Sequence, residues 1–176
     1  MPRQTKYHVG IEIDRLTNSI LNTISGDSFP TEVTEVTKAD LKNINKKNGW
    51  NFNWLTELKL TDRKVYKLTI TNNPAVIQGL VSISDNNDHF YLHLIESAPF
   101  NRGKKKLYEG VGGNLFAFTC ITSWDKGNEG FVLFTSKTKL IECYQKAIGA
   151  THVGKHRMII FPDAALKLIQ KYYPNK

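Results

Sequence analysis

The sequence predicts an α/β chain of the α+β kind: a central mixed sheet, made of an antiparallel meander followed by a parallel βαβ unit, with helices on both faces. Two observations predict it. Three apolar runs, 64–71, 75–84 and 89–96, are separated only by Asn72-Asn73-Pro74 and Asp85-Asn86-Asn87-Asp88, links short enough for antiparallel neighbours. Beyond Pro99 the pattern changes. A basic, glycine-rich stretch leads into an apolar helix and then a short apolar strand, Phe131–Thr135, and strand, crossover helix, strand gives parallel neighbours.

The first 60 residues leave alternatives open. Val9, Ile11 and Ile13 alternate as in a strand, whereas Ile13, Leu16, Ile20 and Ile24 carry helical spacing. The turn Ser25-Gly26-Asp27-Ser28 allows a hairpin joining 17–24 to 29–36. Thr37 reads as the N-cap of a short helix over Ala39–Lys46, ended near Asn48-Gly49. The aromatic cluster Trp50-Asn51-Phe52-Asn53-Trp54 is either a packing plug over one edge of the core or part of a substrate wall.

The later elements read more plainly. Strand Lys64–Thr71 carries Val65, Leu68 and Ile70, and Ala75–Ser84 carries Val76, Ile77, Leu80, Val81 and Ile83. His89–Glu96 is apolar on both faces and therefore central. Helix Asn114–Trp124 is apolar nearly all round, which predicts burial. Helix Thr138–Ile148 places Leu140, Ile141, Tyr144, Ala147 and Ile148 on one face, with Gly149 at its C′ position. Arg157–Phe161 is a further strand, and Asp163 is placed to cap a last helix.

Composition narrows the function classes. The chain has 176 residues, and its 40% hydrophobic content supports a packed core, which excludes a disordered chain. One domain is expected, with 1–60 set apart from a core at 64–161. A formal net charge of +8 favours acidic partners: a phosphorylated cofactor, nucleic acid or an anionic surface. Cys120 and Cys143 form no CxxC pattern and read as reduced thiols. The N-terminus has no apolar signal-peptide core and no stretch reaches the roughly 20 apolar residues of a membrane span, so a cytoplasmic protein with no membrane partner is expected. His8, His89, His93, His152 and His156 are scattered. On a strand His89 and His93 stand about 13 Å apart, so no metal site is expected.

The stretch from Asn101 to Trp124 organises the rest. Gly110, Gly112 and Gly113 let a backbone approach a ligand closely. A helix starting there aims unpaired N–H groups and the positive end of its dipole at one spot, an anion site. Arg102, Lys104, Lys105 and Lys106 add positive charge just upstream.

Two motifs in this order of elements resemble the GNAT N-acetyltransferase superfamily, over roughly residues 64–161. Leu107-Tyr108-Glu109-Gly110-Val111-Gly112 is similar to its Arg/Gln-x-x-Gly-x-Gly/Ala loop, with Leu107 in place of the usual first residue and Lys106 beside it; Asn101-Arg102-Gly103 resembles the entry to that loop. Leu140 to Ala150, centred on Tyr144, is similar to its "A-x-x-x-Y-x-x-x-G-F" helix.

The resemblance implies a GNAT-like acyl-CoA N-acyltransferase fold with acetyl-CoA as cosubstrate and an amine acceptor of unknown identity. It implies that the loop and helix start, Lys106, Leu107, Gly110, Val111, Gly112, Gly113 and Asn114, hold the pyrophosphate. It also implies that the pantetheine arm lies in a splay beside Leu94, Ile95 and Ser97, and that Tyr144 protonates the departing thiolate. The amine needs a base on or beside that strand. Glu96, nearer the splay, is the first choice and His93 the second, and they project to opposite sides unless a bulge intervenes. The alternative is a catalytically inactive module of this fold that binds CoA or an acidic partner such as nucleic acid.

Overall fold

The computed structural model describes residues 8–17 and 19–175; Asn18, inside the expected hairpin arm 17–24, lies outside the described residues. The N-terminal alternatives resolve in favour of a hairpin. Strand β1 (Ile20–Asn22) pairs antiparallel with β2 (Ser28–Phe29), Ile20 opposite Phe29. Asn22 accepts the N–H groups of Ile24 and Ser25, and Gly26 takes φ 75°, the chemistry of a tight turn. Residues 8–17 form neither helix nor strand beyond a single bridge at Val9.

The helix expected over Ala39–Lys46 is replaced by two 3-10 turns, Lys38–Leu41 and Lys46–Asn48. The reason is local competition from short polar side chains. Asp40 accepts the Thr37 N–H at 2.8 Å, and Asn45 accepts the Asn48 N–H at 3.0 Å, so a new turn starts where a helix would have continued. Gly49 ends the second turn in the left-handed conformation, and Asn53 caps a short helix, α1 (Trp54–Leu58).

The meander forms as its turns dictate. Strand β3 (Thr31–Glu35) pairs with β4 (Lys64–Ile70), β4 with β5 (Gly79–Asp85), and β5 with β6 (Phe90–Ser97), all antiparallel. The second strand begins at Gly79, four residues later than expected. Asn72, at φ 70°, and Pro74 prolong the turn, and buried Gln78 is bonded instead to Asn101.

After a two-residue strand, β7 (Tyr108–Glu109), which pairs with β1, comes helix α2 (Val111–Asp125). It begins three residues earlier than the sequence suggests, with Gly110 as its N-cap at φ 99°. Strand β8 (Val132–Thr135) runs parallel to β6, as the crossover through α2 allows. Helix α3 (Ile141–Ile148) follows a 3-10 turn and ends at left-handed Gly149. Strands β9 (Thr151–His152) and β10 (Arg157–Ile160) complete a seven-stranded mixed sheet in the order β3-β4-β5-β6-β8-β10-β9. In the last helix, α4 (Pro162–Tyr172), Phe161 is the N-cap, Pro162 takes the first helical position, and Asp163 sits inside the first turn without capping it.

Two cores flank the sheet. The larger gathers Leu115, Phe116, Phe134, Tyr144, Met158 and Leu168 around α2, α3 and α4. The smaller joins Trp50 and Trp54 to Val65, Leu80 and Leu94 beneath the 3-10 turns and α1. Trp54 and Tyr144 are wholly buried. Among the described residues no helix is long and apolar enough to cross a membrane.

Candidate active site

Strands β6 and β8 pair only where Phe90 faces Val132 and Tyr91 faces Leu133. Beyond that no ladder joins them, and α2 starts at the mouth of the gap. The gap is a topological consequence: β6 leaves for the crossover helix and β8 returns from it, and ligands favour such places in open sheets. A cavity of about 250 Å³ lies there, walled by Ile95, Glu96 and Ser97 of β6, Val111 and Gly112 of α2, Asn51, Phe52, Asn101, Arg102 and Lys137, and by Gly10, Ile11, Glu12 and Asp14. That is below the roughly 300–1,000 Å³ of small-molecule sites.

Gly10, Ile11, Glu12 and Asp14 close one side of the cavity. The Val9 N–H donates to the Thr135 carbonyl at 2.6 Å, and its own carbonyl accepts from the Lys137 N–H at 2.9 Å, so it extends the sheet beside β8. The Tyr144 hydroxyl donates to the Ile11 carbonyl at 2.6 Å. Asp14 accepts the Gly110 N–H and a Lys106 Nζ proton, each at 3.0 Å. Gly112 makes the close packing tolerable, since a Cβ there would stand 2.8 Å from the Glu12 carbonyl oxygen.

The expected site residues therefore divide. Ile95, Glu96, Ser97, Val111 and Gly112 meet at the cavity. Gly110 and Lys106 reach it through Asp14. Burial opposes the charge on Lys106, but the hydrogen bond to Asp14 and the charges of Asp14, Glu12 and Glu109 outweigh it and hold its pKa above the ordinary value. The Asn114 side chain is spent on the Ser19 and Gly110 carbonyls, Gly113 packs on Tyr172 and Leu16, and Leu107 is 42% exposed. Leu94 points into the smaller core.

Glu96 is 4% exposed and fully engaged. Its Oε1 accepts from the Trp54 indole at 2.8 Å and the Phe52 N–H at 3.4 Å; its Oε2 accepts from the Asn51 N–H at 2.7 Å and Arg102 Nη1 at 3.4 Å. Arg102 also donates to the Gly49 carbonyl. The carboxylate thus pins the aromatic segment 50–54 over the cavity.

A bulge does intervene on β6. Ser82 faces Leu94 but Ile83 faces Leu92, which leaves His93 as the extra residue. Leu92 enters the larger core and Leu94 the smaller one, although a regular strand would put them on one face. His93 then bonds Ser84 Oγ at 2.7 Å, beside Tyr91, and is not part of the cavity wall. Burial, then the Arg63 guanidinium, against Asp62, lowers its pKa to about 4, so it is neutral at neutral pH. Burial, then Cys143, pushes the Tyr144 hydroxyl well above the ordinary phenol range, so it stays protonated at neutral pH.

Ile11, Glu12 and Asp14 were not candidates on sequence grounds. The alternation of Val9, Ile11 and Ile13 signals an extended chain, but nothing local tells where it docks.

No protein-family model and no curated protein sequence matches the chain. Among solved structures, a spermidine N-acetyltransferase SpeG chimera from Vibrio cholerae and hSSAT superposes with a TM-score of 0.57 at 16% sequence identity, covering 78% of this chain and 98% of that one. The meander, the crossover helix with its glycine start and the splayed parallel pair give the chain the fold of the GNAT superfamily.

Proposed function

We propose that this protein is an acetyl-CoA-dependent N-acetyltransferase that acts on a primary amine by direct attack, without a covalent enzyme intermediate. The observation that carries the reading is the conjunction of the β6–β8 gap with the glycine start of α2 at its mouth and the protonated, buried Tyr144, whose hydroxyl reaches the cavity-lining Ile11. First-turn N–H groups of α2, including those of Val111, Gly112 and Gly113, suit an anionic pyrophosphate. Backbone groups around Ile95 and Ser97 suit an amide-bearing arm running along the gap. The bound thioester supplies the activated acyl group, and two substrates held in one cleft supply much of the rate.

In this reading Tyr144 delivers its proton to the departing thiolate and regains one, by way of water, from the attacking amine nitrogen as the amide forms. Glu96 is the positioning residue, because each of its oxygens already serves two donors. It would accept an amine proton only by releasing one of them. The resemblance of fold to a spermidine N-acetyltransferase supports the acyl-transfer class, while the acceptor here is open. A second reading, a module of this fold that has given up turnover, draws on one observation: Asp14 stands at the start of α2.

Calorimetric titration with acetyl-CoA, with free CoA and ATP as controls, decides first. Micromolar binding selective for the CoA compounds is expected, followed by thiol release on a panel of primary amines and a 10²-fold or larger loss of kcat, in round numbers, in Tyr144→Phe. Absence of both binding and thiol release refutes the proposal.

A further inference from the structure

Residues 9–14 follow the line that the acyl-CoA reading reserves for the cofactor. Backbone groups of Val9 occupy the gap beside β8. The Ile11 carbonyl takes the hydroxyl proton of Tyr144. Three residues on, the Asp14 carboxylate sits at the positive end of the α2 dipole, held by the Gly110 N–H and by Lys106. An amide in the gap, an oxygen on the tyrosine and an anion at the helix start are three features of one extended, anionic, amide-bearing ligand, each met here by the protein's own chain.

We propose that residues 9–14 are an intramolecular competitor of acyl-CoA, a strap that must lift before the cofactor can enter. The inference rests on the acyl-CoA reading of the cleft. The strap is built to hold and to release. Val9 and Ile11 bury their side chains in the larger core, so the closed form dominates. Yet no ladder beyond the single bridge fixes it, and Gly10 and Glu12 are exposed. Thr17 and Ile20 are anchored, the Tyr172 hydroxyl accepting the Thr17 N–H at 2.9 Å and Ile20 wholly buried, so the lift pivots at Arg15 and Leu16. When only a fraction of molecules is open, apparent affinity falls by that fraction. The strap therefore sets the cofactor concentration at which the enzyme engages.

The test locks the strap. Val9 and Ser136 are partners in an isolated parallel bridge. Residues paired in this way stand about 4.8 Å apart, inside the roughly 4.4–6.8 Å that a disulfide spans. The full chain carrying Val9→Cys, Ser136→Cys and Cys143→Ser is titrated with acetyl-CoA after oxidation and again after reduction, with circular dichroism confirming the fold in both states. Asp14→Asn, titrated in parallel, weakens the strap without a crosslink. The oxidised form is expected to bind at least about tenfold more weakly than the reduced form, and Asp14→Asn about tenfold more tightly than the wild type. Equal affinity in the two redox states, or no gain in Asp14→Asn, overturns the strap while leaving the acyl-CoA reading intact. Binding in none of the forms overturns that reading, and the competitor with it.

Discussion

Replacing Glu96 by glutamine isolates the network that holds segment 50–54 over the cavity. Glutamine keeps the shape but turns one acceptor oxygen into an NH2 group. Either orientation faces that group against two donors: the Trp54 indole with the Phe52 N–H, or the Asn51 N–H with Arg102. At least one short hydrogen bond, 2.7 or 2.8 Å, is therefore lost at a residue only 4% exposed. A hydrogen bond to a charged group contributes about 1.5–3 kcal/mol, and a buried donor left unpaired adds to that. Arg102, partly exposed, recovers water and adds little. The sum is about 3 kcal/mol, or roughly 6–12 °C in Tm for a chain of this size. Urea unfolding followed by circular dichroism should show the midpoint falling with an unchanged slope. A loss below about 0.5 kcal/mol would refute the reasoning, because surface-like changes have that size.

Two further outcomes follow from single contacts. His93 titrates near 4 in the fold and near 6.5 unfolded, so the unfolded chain binds the extra proton between those values. Stability is then intact above pH 6.5 and declines as pH falls toward 4, by on the order of 3 kcal/mol; His93→Gln should flatten that part of the profile, and an unchanged slope would deny the burial. In Gly79→Ala the new Cβ would lie 2.6 Å from Val111 Cγ1 and 3.2 Å from the Glu96 carbonyl oxygen. Overpacking there should cost about 1–3 kcal/mol in chemical denaturation, and a neutral result would mean that the start of α2 yields freely.

The legible parts of the fold are those decided nearby. Asn72-Asn73-Pro74 and Asp85-Asn86-Asn87-Asp88 turn the chain by their own side chains, so the meander could be read directly. The apolar girdle of Leu115, Phe116, Phe118 and Ile121 announced a buried crossover helix. The helix expected at Ala39–Lys46 failed for an equally local reason, the competing side chains of Asp40 and Asn45, which the periodicity did not weigh. For the site, Glu96, Ile95, Ser97, Val111 and Gly112 were candidates and do meet at the cavity. His93 does not, because the bulge that turns it toward Ser84 is a property of two strands in register, not of one.

By itself the sequence determined the order of the meander, the crossover helix and the strand after it, the glycine start of α2 and the tyrosine on α3, since each depends on backbone conformation and spacing within one segment. Only the tertiary structure decided what occupies the gap they frame. Asp14 meets Lys106 across 92 positions and Tyr144 meets Ile11 across 133. Contacts at such separations depend on the global path of the chain, and three alternating apolar residues near the N-terminus carry no record of that path.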